Sequence, residues 1–293
     1  MVKWSLGVLV GVAALGCLGL GVLIGLSELK LRDYTPVSPF QGEIPTNAAA
    51  ITEGRRLART RGCIGCHGDN LGGRDFSDDW QGMGRPIAAN LTHYVRQHDL
   101  ATIERAVRHG VDSQGRAIMN MPAYNFRRLS DEDFLKIVAF LKSMPVVETP
   151  LPAPYLGLSA RYELLRGRRP HMAQIAQDVP ELTRQDGDPV LALGEYIAMT
   201  TCNECHGLDV RGAAEPGWTT PDLAMTASYS DEDFDTLLNT GIGVGGRELG
   251  LMTLVARDRF PSLIQEERAA LRAYLVSLAG EPVPEDVPWR VYD

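Results

Sequence analysis

Cysteine is scarce in this chain, with five in 293 residues, and no set of them is left over to build a disulfide framework. Four fall in two short C-x-x-C-H strings, and the fifth, Cys17, lies in an apolar N-terminal run. Net basic charge is missing too. The formal charge of −8 argues against a nucleic-acid partner, which would call for a basic face. No segment alternates apolar and polar residues as a half-buried strand does, so the pattern predicts an all-α protein. Low-complexity tracts are likewise absent from an ordinary globular composition, 44% apolar and 23% charged.

Charge is also absent between Lys3 and Glu28, in "KWSLGVLVGVAALGCLGLGVLIGLSELKLR", which leaves 24 uncharged residues. A helix of about 20 apolar residues spans a bilayer. The run exceeds the 7–15 residues of a signal-peptide core, and "LSELK" is no A-x-A-like cleavage site. The expectation is an uncleaved single-pass anchor over residues 1–30. Cleavage with lipid modification of Cys17 is the alternative. The pairs Gly7/Gly11 and Gly21/Gly25 could form a packing face for another helix, or simply reflect the frequency of glycine in membrane helices.

Beyond an extended tether (31–46) the chain repeats itself. A helical run, "AAITEGRRLARTRG", leads to Cys63, and "DPVLALGEYIAMTT" leads to Cys202, with Asp188 placed to cap and Pro189 at the first helical position. Each string is followed by glycine-rich loops and a middle helix, "DLATIERAVRHG" and "SDEDFDTLLNTG", each ending at a glycine. Each copy closes with a further helix. "SDEDFLKIVAFLKSM" has Ser130 placed to cap it, whereas Ile264, ahead of "QEERAALRAYLVSLAG", cannot cap, so that helix is expected to fray or begin differently. The expected units are 47–145 and 188–280, joined by a proline-rich linker (146–187) holding one helix, "LSARYELLRG", and followed by a tail (281–293).

Three chemistries use C-x-x-C-H-like spacing: a thiol–disulfide pair, part of a zinc site, and covalent attachment of a c-type haem. A thioredoxin-like pair expects a βαβ setting, which the pattern lacks. Zinc needs four ligands, and the strings, His67 to His206, lie 139 residues apart, so a shared site requires the two halves to dock closely. Haem c needs two cysteines for thioether bonds and the following histidine for iron. Two matches, each after a helix, favour haem: Cys63, Cys66 and His67, then Cys202, Cys205 and His206.

On these strings, with "MP…LSDED…FLKSMP" and "ELGLM…RF…AYL", each half resembles a class I c-type cytochrome domain. The whole, from about Asn47 to Gly280, resembles membrane-anchored bacterial dihaem cytochromes c. The resemblance implies two covalently bound haem c groups on an all-α fold: an N-terminal transmembrane helix, then two class I cytochrome c domains in tandem. It also implies a methionine as second axial ligand. No histidine follows His206 and no lysine follows Lys142, so the second iron takes a methionine or stays open. Met252, in the loop where such domains present their ligand, is favoured over Met199 and Met225. In the first half the resemblance favours Met121, followed by Pro122, over Met119. Met83, His93, His98 and His109 stand outside; His93 and His98 are expected in an exposed loop and His109 as a solvated or helix-end charge. It further implies that Gly54 and Gly194 face Phe140 and Tyr274 where terminal helices cross, and that the Pro221 carbonyl orients His206. The corresponding proline of the first half is displaced to Pro86.

Charge is divided unevenly. Residues 47–145 hold 14 basic and 11 acidic side chains, whereas 186–293 hold 7 and 19. The acidic half is either simply solubilising or steers a basic redox partner. The expected function is single-electron transfer on the periplasmic side of the bacterial inner membrane. Electrons would pass from a membrane quinol-oxidising complex or a dehydrogenase to a terminal oxidase or a soluble cytochrome c, with no catalytic residues. The alternative is a fixed cytochrome subunit of a respiratory or dehydrogenase complex; a dihaem peroxidase is a more distant third.

Overall fold

A computed structural model describes the backbone of residues 2–215 and 218–283, and the side chains of 7–213 and 219–283; the tail expected beyond residue 283 lies outside the described residues. The chain is mostly helical. Helix α1 (Val2–Lys30) is the apolar N-terminal run, its outward leucines and valines exposed. Residues 7–30 of it are long and apolar enough to cross a membrane.

The first half comprises α2 (Ala48–Thr60), α3 (Cys63–His67), α4 (Leu91–Gln97), α5 (Leu100–His109), α6 (Ala123–Phe126) and α7 (Asp131–Ser143). The connecting stretch holds α8 (Leu158–Leu165) and α9 (Met172–Gln177). The second half comprises α10 (Pro189–Ile197), a π-turn over Ala198–Cys202, α11 (Asn203–His206), α12 (Asp231–Thr240), α13 (Leu251–Arg259) and α14 (Gln265–Ser277). Among the described residues, four antiparallel ladders of two or three residues per strand decorate the loops, too short to carry the alternation a sequence pattern reveals.

Local signals set the helix ends. Asn47, Asp99, Ser130, Asp188 and Ser230 each accept a backbone N–H at a helix start. Gly110 and Gly241 end α5 and α12 in the left-handed region. Helix α14 does begin differently: with no capping oxygen on Ile264, the Glu267 carboxylate reaches back to the Ile264 N–H at 3.0 Å.

Three buried clusters result among the described residues. One, around Leu57, Ile64, Ile103 and Phe134, fills the first half, and another, around Ile197, Phe234, Phe260 and Leu271, fills the second. The third joins the end of α1 to the connecting stretch: Leu31 packs with Met83, Val111, Met119, Ala160, Leu164 and Ala173. The stretch after α1 is irregular but laid down on protein. The Leu31 carbonyl accepts from the Ala117 N–H at 2.7 Å, and Phe40 meets Phe134 edge-on at 5.4 Å. Helix α8 matches the single expected linker helix. Helix α9, capped by His171, leaves no signal in the sequence because six residues are too few to show a helical period.

The terminal helices of each half cross at a glycine. A Cβ on Gly54 would stand 1.9 Å from the Lys136 carbonyl oxygen, and one on Gly194 would stand 2.1 Å from that of Ala270. Tyr274 does lie against Gly194; at Gly54 the nearest atoms are the α7 backbone at Lys136 and Ile137, and Phe140, buried one turn on, has the Arg55 guanidinium 5.7 Å over its ring.

Candidate haem sites

The first C-x-x-C-H string forms α3, just after the glycine-bearing α2; in the second half the π-turn that follows α10 carries Cys202, and α11 carries the rest of the string. The loop that follows is the same in both. Gly68 and Gly207 have positive φ, the next turn forces Leu71 and Val210 to φ of 59° and 56°, and both of these side chains are fully buried. A β-branched residue is costly there. Both turns are locked by matching hydrogen bonds, from Gly73 N–H to the His67 carbonyl and from Gly212 N–H to the His206 carbonyl, each at 2.9 Å.

Both imidazoles are buried and held through one nitrogen. His67 Nδ1 donates to the Ala89 carbonyl at 2.7 Å, and His206 Nδ1 to the Pro221 carbonyl at 2.9 Å. That fixes the tautomer and leaves Nε2 as the free lone pair, the arrangement a metal-ligating histidine requires. Burial pushes both imidazole pKa values down, which keeps Nε2 unprotonated. In the first half the orienting carbonyl belongs to Ala89, three residues beyond the displaced Pro86. A backbone acceptor does not depend on the side chain that carries it.

The thiols are not those of an oxidoreductase. Burial pushes Cys63 up to about 11, Cys202 to about 12 and Cys205 to about 11, and raises Cys66. A redox-active C-x-x-C pair needs a lowered thiol pKa instead. Nor do the strings converge on zinc: among the described residues no three His, Cys, Asp or Glu side chains are placed to share an ion.

The first half holds a cavity of about 460 Å³ lined by Cys63, Cys66 and His67 together with Met83, Met119 and Met121 and chiefly apolar neighbours. Covalent anchors, one oriented imidazole and thioether sulfurs in an apolar chamber fit haem c. Met121 packs against the cluster around Ile64, Ile103 and Phe126; Met119 is buried in the third cluster, beside Leu31 and Met83. In the second half Met252 is half-buried against the core, and it stands in the first turn of α13 rather than in a loop. Gly250, at φ 59°, turns the chain into that helix. Thr253 pins the turn, donating to the Gly241 carbonyl and accepting from the Leu249 N–H, each at 2.7 Å. The competing methionines are elsewhere: Met199 is in the core at the π-turn and Met225 is largely exposed on a 3₁₀ turn.

The remaining histidines have structural partners. His93 lies on α4 and pairs with Glu148 at 3.1 Å, and His98 caps α4 with its ring 4.4 Å from Tyr94, so neither sits in a free loop. His109 turns back to buried Glu104 at 3.2 Å instead of projecting into solvent.

The model of the cytochrome c family matches residues 51–145 and again 191–279. The chain belongs to the cytochrome c family: it is a c-type cytochrome with two covalently bound haem c groups, and its chemistry is electron transfer. It is 24% identical to the fructose dehydrogenase cytochrome subunit of Gluconobacter japonicus, over 81% of the chain and 55% of that protein. It is 27% identical to the cytochrome c subunit of the quinone alcohol dehydrogenase of Gluconobacter oxydans, over 80% of the chain and 56% of that protein. Against a nicotinate dehydrogenase subunit of Pseudomonas putida the identity is 26%, over 96% of the chain but 25% of that protein. The chain thus spans between a quarter and just over half the length of these relatives.

Proposed function

We propose that this protein is the cytochrome subunit of a membrane dehydrogenase, taking single electrons from a catalytic partner and passing them on through two haems. The observation that carries the reading is its similarity, along four-fifths of its length, to proteins named as cytochrome subunits of dehydrogenases. Of the two readings that the sequence leaves open, this favours the fixed subunit over the tethered carrier.

The end of α1 supports it as well. Buried Ser27 accepts from Arg161 of α8 at 2.6 Å and Glu28 pairs with Arg161 at 2.8 Å and with Arg116 of the first half at 3.7 Å, so the apolar helix meets the connecting stretch and the first half without slack. A carrier that swings between partners needs a loose tether; a subunit does not. In this reading α1 is an uncleaved anchor and both haem domains face the periplasm.

His67 with Met121 and His206 with Met252 would hold the two haem irons. When bound so, haem c supplies a one-electron ferric/ferrous couple of raised potential. Backbone carbonyls hold the two imidazoles, apolar side chains surround them, and Met121 and Met252 would supply the thioether sulfurs. The acidic second half would then steer a basic electron acceptor, at a rate that falls as ionic strength rises.

Native electrophoresis of gently solubilised membranes tests the assignment. The expected result is one haem-stained particle, larger than this chain alone, that also reduces dye with a dehydrogenase substrate. A haem band that runs at the size of the single chain, apart from every dehydrogenase activity, contradicts it.

A further inference from the structure

Two buried arginines meet where the haem-attachment strings of the two halves come together. Arg259, at the end of α13, is 8% exposed and pairs with Glu204 of the second string at 2.7 Å. Its guanidinium also crosses to the first half: a Cβ on Gly62, whose φ of 82° favours glycine, would lie 2.4 Å from its Cζ. The Arg259 charge acts on all four haem-anchoring cysteines, opposed at Cys66 and Cys205 by Glu204.

Arg61 lies at the same junction. It is 1% exposed and its guanidinium lies 5.5 Å over the Tyr196 ring of the second half. Its charge acts on the first cysteine of each string, Cys63 and Cys202, and it makes no ion pair among the described residues. Arg61 and Glu204 both line the first haem cavity. The junction between the two porphyrin anchor points therefore holds two buried cations and one anion.

We propose that this Arg61–Arg259–Glu204 cluster sets the reduction potentials of both haems, its net positive charge favouring the ferrous state of each. A ferric haem carries one more positive charge than a ferrous one, so a buried cation near its edge disfavours oxidation, and a buried anion favours it. The low local dielectric keeps these effects from being screened as surface charges are. The residues act on the haems through space and ligate nothing, so they are tuning residues.

The test is an optical redox titration of the full-length, haem-loaded protein in detergent, with both haems resolved. Arg259→Gln and Arg61→Gln are expected to lower both midpoints, and Glu204→Gln to raise them. At the native midpoint the ferrous-to-ferric ratio should fall about threefold in Arg259→Gln, equivalent to ~28 mV at 59 mV per decade for one electron. Arg259→Lys, which keeps the charge, should stay near native. Loss of packing alone would move the arginine and glutamate variants in the same direction. Shifts of one sign, or none with both haems retained and low-spin, overturn the proposal. Should Arg259→Gln fail to mature, the opposite shifts required of Arg61→Gln and Glu204→Gln decide it.

Discussion

Arg56 of α2 and Glu267 of α14, 211 positions apart, are joined by two hydrogen bonds of 2.5 and 2.8 Å, so the helix that precedes the first haem string is tied to the last helix of the second half. Arg56 also donates to the Ser262 carbonyl and pairs with Glu53, while Glu267 caps α14 through the Ile264 N–H. With Arg59–Asp258 at 2.7 Å, these contacts make the two halves one body around the junction.

Glu267→Ala removes an ion pair that is mostly buried and a helix cap together. The expected loss is about 2 kcal/mol of stability, since hydrogen bonds to charged groups contribute roughly 1.5–3 kcal/mol. Denaturant unfolding monitored by helical circular dichroism checks it. An unchanged midpoint would show that the two halves hold together without this contact.

At the helix crossings Gly54→Ala and Gly194→Ala should each cost about 3 kcal/mol or abolish folding, because the added methyl collides with backbone that cannot rotate away. Gly25→Ala in α1, where a Cβ meets nothing within 4 Å, is the control and should be neutral. Thermal melts of the three variants separate the cases.

His171 gives a pH dependence of known sign. It is fully buried; Nδ1 accepts from the Gln174 N–H at 3.1 Å and Nε2 donates to the Asp33 carbonyl at 3.2 Å, with Lys30 and Asp33 the charges that face it. Burial lowers its pKa below the ordinary 6.5, so the folded protein holds the ring neutral while the unfolded chain takes up a proton. Its contribution is complete above about pH 6.5 and is lost as pH falls from there through the lowered value. His171→Asn should be less stable at pH 7.5 and should lose less stability than the native protein between pH 7 and 5. Parallel melting curves across that range would refute the assignment.

Much of this architecture was legible in the residues themselves. The strings at Cys63–His67 and Cys202–His206, the capping residues Asp188 and Ser130, and the glycines at the crossings are local signals with local causes, and the structure places them as read. What escaped depends on contacts between distant segments. The Ala89 carbonyl is a backbone group that no sequence pattern marks. Arg61 and Arg259 look like ordinary surface charges until the other half of the chain covers them. Met252 lies on a helix of nine residues whose start is set by Gly250 and the Thr253 hydrogen bonds, not by a capping side chain.

The proposed methionine ligands are open to direct substitution. Met252→Ala should convert one haem to high-spin and lower its potential, leaving the other unchanged. Met121→Ala should do the same in the first half, while Met119→Ala should leave both haems low-spin. Electron paramagnetic resonance of the oxidised variants reads each outcome, and a high-spin signal from Met119→Ala with none from Met121→Ala would exchange the two assignments.

The central claim, two closed His/Met haems in an electron-transferring chain, is tested most directly by the oxidised optical and electron paramagnetic resonance spectra of the purified protein, with haem measured per polypeptide. The account predicts two haems per chain, both low-spin, with the weak methionine-to-iron charge-transfer band and no response to added peroxide or cyanide. A single haem, or a high-spin centre that shifts with peroxide, would contradict it and point to an open site with peroxidase chemistry.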